Sequence, residues 1–162
     1  MSRQVITEAA PPQTSPALRA WAQLLRGHAA TTRLLGAELQ EHGLTINDYE
    51  ALLLLSQAEG GRLKRVELAR RLVLTPSGVT RLLEGLESAG LVERAACPAD
   101  LRVVYAQLTE LGRERLSSAS CGHVGTVRAL FEEYLTEDEL ETLASLLERL
   151  PCGAALGPDT SA

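Results

Sequence analysis

The densest chemistry in the chain is a run of hydroxyl and arginine side chains at its middle, Thr75-Pro76-Ser77-Gly78-Val79-Thr80-Arg81. Thr75-Pro76 is a helix start: a hydroxyl caps the first turn, and the proline's missing N–H costs nothing there. A helix N-terminus offers unpaired N–H groups and partial positive charge to an anion, above all a phosphate. Thr75, Ser77 and Thr80 add hydroxyls to that end, and Gly78 leaves its face bare enough for the backbone to approach a ligand. Arg81 lies one turn past Ser77 and can take a guanine edge with both arms of its guanidinium, or a phosphate. Plainer readings stand beside these. Thr75 is only a cap, Gly78 is neutral drift, and Arg81 is solvated or paired with Glu84.

Charge supports an anionic partner. Residues 62–102 hold eight basic side chains against five acidic ones, on a chain whose formal charge is −5. An acidic protein with a basic middle suggests one surface built to meet a polyanion. Lys64, Arg65, Arg70 and Arg71 can hold phosphates without reading sequence; a merely solvated basic face is the alternative. Arg94 and Arg102 belong to the same basic segment and are further candidate DNA contacts.

Other chemistries find no pattern. There is no Gly-rich phosphate loop, nucleophile elbow or HExxH helix, so no enzyme is expected. His28, His42 and His123 have no short ligand pairing with cysteine, and neither metal nor cofactor is expected. Cys97, Cys121 and Cys152 fit neither a zinc site nor a disulfide framework, and their odd number suits a reducing compartment. A redox-sensing reading would rest on Cys97. No apolar run approaches a membrane span and no leader pattern is visible, so the expected location is the cytoplasm, without a membrane partner. Leucine (31) and alanine (22) dominate and aromatics number only five, which favours helices with an aliphatic core over a base-stacking sheet.

The elements that would position these groups follow from caps and periodicity. Ser15-Pro16 opens a helix over about 16–42, ending at Gly43, with a seam of Leu18, Trp21, Leu25, His28, Thr32, Leu35 and Leu39 suited to a partner helix. Thr45 and Asp48 open a second helix, with Tyr49, Leu52, Leu53 and Ser56 on one face and Gly60-Gly61 as its stop. A very short strand at 62–64 precedes a helix over 65–72 with Val66, Ala69 and Leu72 inward. The helix begun at Thr75 runs to Ala89 and turns its apolar side, Val79, Leu82, Leu83 and Leu86, to the core. Residues 91–95 and 103–108 are β-prone around a polar turn at 96–101, which makes a hairpin. Thr109 opens a helix over 110–134 with Leu111, Val124, Val127, Leu130, Phe131 and Tyr134 on its apolar side. A capping box at 136–139 opens a last helix that Pro151 ends. Residues 1–14 and 152–162 are expected to be flexible tails. The fold class is mainly α with a small β-hairpin, and the two middle helices plus the hairpin form a winged helix-turn-helix, a motif that can put a helix in a major groove.

The segments VELARRLVLTPSGVTRLLEGLESAGLVER (66–94), DLR (100–102) and QLTELGRERL (107–116) resemble the MarR family of bacterial transcriptional regulators. The resemblance covers roughly 16–150. It implies a homodimer held by helices at 15–45 and 110–151, with a DNA-binding lobe at 46–109 on a near-palindromic operator. It also implies a wing in which Arg102 enters the minor groove and Asp100 orients a wing arginine, Arg94 or Arg102. Leu101 stands where the family's wing often has an arginine, one positive charge fewer per subunit. Family members often bind small aromatic or anionic effectors; Trp21, Arg26, His28 and Tyr49 are the candidates here, with a hydrogen-bonded polar patch in the dimer interface as the alternative. The expected function is a repressor of double-stranded DNA released by an effector. A redox- or metal-responsive regulator of the same fold remains an alternative, as does a helical interaction module without DNA binding.

Overall fold

The computed structural model describes residues 15–97 and 100–150, with backbone only at 97 and 100–103. The expected tails, Pro151 and Cys152 lie outside the described residues. The elements are α1 (Pro16–Glu41), α2 (Ile46–Gln57), a 3-10 turn (Glu59–Gly61), β1 (Arg62–Lys64), α3 (Arg65–Arg71), α4 (Pro76–Ser88), β2 (Val92–Cys97), β3 (Asp100–Leu108), α5 (Glu110–Glu132) and α6 (Glu137–Glu148). This is the mainly helical winged helix-turn-helix expected from the sequence. The three strands form one antiparallel sheet in the order β1-β3-β2, with Leu63 opposite Ala106 and Val92 opposite Leu108.

Local chemistry sets the helix ends. The Asp48 N–H donates to Thr45 Oγ1 at 3.2 Å, and the Thr45 N–H donates to Asp48 Oδ2 at 2.9 Å, closing both ends of a capping box. Thr75 Oγ1 accepts the Gly78 N–H at 3.1 Å, and Thr109 Oγ1 accepts the Gly112 N–H at 3.0 Å. Gly90, with φ +71, ends α4 in the left-handed region that glycine adopts without strain. At Gly112 a side chain is impossible: a Cβ would fall 2.1 Å from the Leu91 carbonyl oxygen, so α5 can start against the α4–β2 turn only through glycine.

The chain divides into a unit ending at Leu34 and one beginning at Leu35. In the first, the N-terminal part of α1 exposes Leu18, Trp21, Leu24, Leu25 and Leu34. The second holds the core, where Leu39, Leu44, Leu52, Leu55, Leu68 and Leu83 are fully buried.

Four expectations need correction. Val66 is 73% exposed; Ala69 and Leu72 are buried as expected, but Leu68 takes Val66's place in the core, since a helix of seven residues gives too few turns to fix its phase from sequence. In α2 the buried stripe is Tyr49, Ala51, Leu52 and Leu55, with Leu53 and Ser56 only half-buried. The hairpin strands run through the expected turn, reaching Cys97 and restarting at Asp100, with an irregularity between Ala96 and Cys97. α5 buries Gly112, Leu116, Ala119 and His123, whereas Leu111, Val124 and Tyr134 on its expected apolar side are exposed.

Candidate nucleic-acid interface

The N-terminus of α4 is built by its own side chains. Thr75 caps the helix, and its Oγ1 also lies 3.2 Å from Ser77 Oγ. A Cβ at Gly78 would come within 3.2 Å of that same oxygen, so Gly78 has a local reason: it keeps the cap uncrowded. The Thr80 hydroxyl is fully engaged. It donates to the Pro76 carbonyl at 2.8 Å and accepts from Arg65 Nη2 at 2.7 Å, tying α3 to α4. Pro76, Ser77 and Arg81 are exposed. Among the described residues no carboxylate pairs with Arg81, so the expected alternative partner, Glu84, does not hold it. Ser77 and Arg81 thus stand about 6 Å apart along the helix axis on an accessible face.

The remaining basic residues fall into two kinds. Lys64 and Arg70 are exposed, and no ion pair holds either among the described residues. Arg71 pairs with Glu67 one turn back on α3. Arg94 on β2 donates from Nε to both carboxylate oxygens of Glu87, at 2.8 and 2.9 Å. That hydrogen bond, with the adjacent negative charge, holds the Arg94 guanidinium still more firmly protonated than usual. Arg62, outside the candidate set, lies over the Tyr105 ring at 5.1 Å. The side chains of Asp100 and Arg102 lie outside what is described; their backbone opens β3, and Asp100 faces Cys97 across the hairpin.

The effector candidates fall in both units. Trp21, Arg26 and His28 are exposed on α1 in the N-terminal unit. Tyr49 is buried in the second unit, where its hydroxyl is 3.1 Å from Ser120 Oγ and its ring meets His123 edge-on at 4.6 Å. Beside it lies a polar cluster that sequence reasoning missed. Glu38 Oε2 and His123 Nδ1 are both buried, 3.7 Å apart and without a hydrogen-bond partner. Gly122 makes room for the acid, because a Cβ there would sit 2.7 Å from Glu38 Oε1. His123 continues the spacing of Leu116 and Ala119, a signal from which its inward position could have been read; nothing in the sequence pointed to Glu38.

The family model described as MarR family matches residues 44–104, from the start of the second helix to the wing. A crystal structure of AbsC, a MarR family transcriptional regulator from Streptomyces coelicolor, is 33% identical with a TM-score of 0.77, covering 85% of this chain and 94% of that one. This chain belongs to the MarR family. It is a MarR-family transcriptional regulator, and its α3–α4 pair with the β2–β3 hairpin is the family's winged helix-turn-helix. The HTH-type transcriptional repressor YetL of Bacillus subtilis is 35% identical over 111 residues, 67% of this chain and 66% of that repressor. The MarR-family regulator Sco3205 of Streptomyces coelicolor, crystallised in complex with DNA, is 27% identical with a TM-score of 0.78 over 87% of this chain and 89% of that one.

Proposed function

We propose that the protein is a homodimeric repressor that sets two α4 helices into successive major grooves of a near-palindromic operator. The observation that carries this reading is the accessible N-terminal face of α4, where Ser77 and Arg81 are exposed on a capped helix start and, among the described residues, no carboxylate pairs with Arg81. Arg81 reads a base edge or grips a phosphate, Thr75, Pro76, Ser77 and Gly78 bring the helix N-terminus to the backbone, and Lys64 adds a phosphate contact. Arg65 holds Thr80, so both act by fixing α4 on α3 as well as by touching DNA. Arg102 enters the minor groove, whose narrow A·T-rich form attracts guanidinium, and Asp100 orients a wing arginine.

Dimerisation falls to the helices at 15–45 and 110–151, and the DNA-binding lobe is 46–109. The apolar side chains exposed on α1 and α6 support this division. The protein works in the cytoplasm as a regulator and not an enzyme; no helix among the described residues is long and apolar enough to cross a membrane. A small anionic or aromatic effector releases the operator by binding the DNA-incompetent state better. Trp21, Arg26 and His28 are the accessible candidates for its contacts.

A gel shift against the DNA flanking the protein's own gene tests the reading. A discrete complex at nanomolar protein that survives competitor DNA is expected. Weak binding erased by competitor would set the repressor reading aside for that DNA, and genome-wide binding would then decide.

A further inference from the structure

Arg94 and Glu87 lie seven positions apart, on opposite sides of the Gly90 turn, yet meet in a two-oxygen hydrogen bond. Glu87 is in the last helical turn of α4, and Arg94 is in the first half of β2. Side chains alternate along a strand, so Arg94 shares its face with Val92, which is 2% exposed. That face looks onto the core and α4. The hairpin is therefore fixed to α4 twice at this end, once through the buried Leu91 and Val92 and once through the ion pair at the rim. A basic residue in a nucleic-acid-binding lobe would ordinarily serve a phosphate. Here a carboxylate of the same lobe consumes its charge.

We propose that Arg94 is a positioning residue: bridged to Glu87, it sets the angle of the wing to the recognition helix, so that the two reach adjacent grooves together. The inference rests on the reading of α4 and the wing as the DNA-binding surface. A consequence follows that simple charge counting contradicts. Removing an acid from a surface that meets a polyanion should strengthen binding to any DNA. Removing Glu87 should instead weaken binding to the correct sequence, because the wing loses its register.

The test uses the full chain, a duplex that the wild-type protein selects from a random pool, and a shuffled duplex, with Kd measured across a salt series. Glu87→Gln is expected to lose about fourfold on the selected duplex, roughly twofold from each of two exposed pairs, and to lose nothing on the shuffled one. Arg94→Ala should weaken the selected duplex alike while leaving the salt slope unchanged. The reversed pair E87R/R94E should recover most of the loss. Both sites reach the surface, and thermal melts confirm that each of the three variants folds. Glu87→Gln binding the selected duplex as tightly as wild type, or losing equally on both duplexes, overturns the proposal. So does an Arg94→Ala slope flatter by about one unit per subunit, which would put Arg94 on a phosphate. If the wild type selects no duplex at all, the functional reading fails and the proposal with it; selection followed by an indifferent Glu87→Gln sinks the proposal alone.

Discussion

The DNA-binding lobe and the helical arms treat the same residue type in opposite ways. In α4, Val79, Leu83 and Leu86 are all buried within the chain. In α6, whose leucines recur at the same helical spacing, no residue is buried, and Leu143, Leu146 and Leu147 are 37–51% exposed. In α1 only Leu39, near the C-terminal end, is buried. The lobe therefore closes its own core, whereas the arms carry apolar stripes that one chain leaves open to water. Amphipathic helices keep such stripes when something covers them. A second copy of the chain is the cover the family's architecture supplies.

The largest effect that would break this contrast lies in the lobe. Leu52→Ala and Leu83→Ala should each cost about 3 kcal/mol by leaving a cavity, read as a lowered midpoint in urea. Gly112→Ala should cost a similar amount, about 3 kcal/mol of overpacking against the Leu91 carbonyl. In the arms, Leu147→Ala should barely change the unfolding of an isolated chain. It should instead raise the concentration at which dimers dissociate, measured by sedimentation equilibrium. A Leu147→Ala loss as large as that of Leu83→Ala, independent of protein concentration, would erase the distinction between arm and lobe.

Smaller effects sharpen it. Val73, in the turn between α3 and α4, has φ +54, a left-handed conformation costly for a β-branched residue. Val73→Gly should raise lobe stability by less than about 1 kcal/mol, strain relief being partly offset by glycine's entropy. The smallest effect belongs to the α6 cap. The Thr136 N–H, 2.9 Å from Glu139 Oε2, and then the Thr136 hydroxyl hold that carboxyl below its ordinary value. A depressed carboxyl stabilises the fold above the unfolded-state value, and the contribution disappears as pH falls through the folded one. The Tm of wild type should therefore exceed that of Glu139→Gln slightly at neutral pH, and the two should converge in acid.

The same division separates what the sequence made legible from what it hid. Helix starts were readable because Thr45, Thr75, Thr109 and Thr136 each act on backbone within three residues. The exposed face of α4 was readable for the same reason, one helix being enough to phase Ser77 against Val79. Contacts made by the folding of one element onto another were not. Arg65 reaching Thr80, Arg94 reaching Glu87 and Glu38 meeting His123 all depend on how helices and strands pack. Val66 and the apolar side of α5 failed for a related reason. A short helix carries little phase information, and a stripe that awaits a partner looks in sequence like one that faces the chain's own core.

The most direct measurement of the central claim, that α4 reads DNA, is the operator affinity of Arg81→Ala by fluorescence anisotropy. The fold at Arg81 should be undisturbed, since its side chain is exposed and its helix is capped at Thr75. A loss of about 1–3 kcal/mol on the operator with an unchanged melting midpoint is expected. An Arg81→Ala protein that binds its operator with wild-type affinity would contradict the central claim.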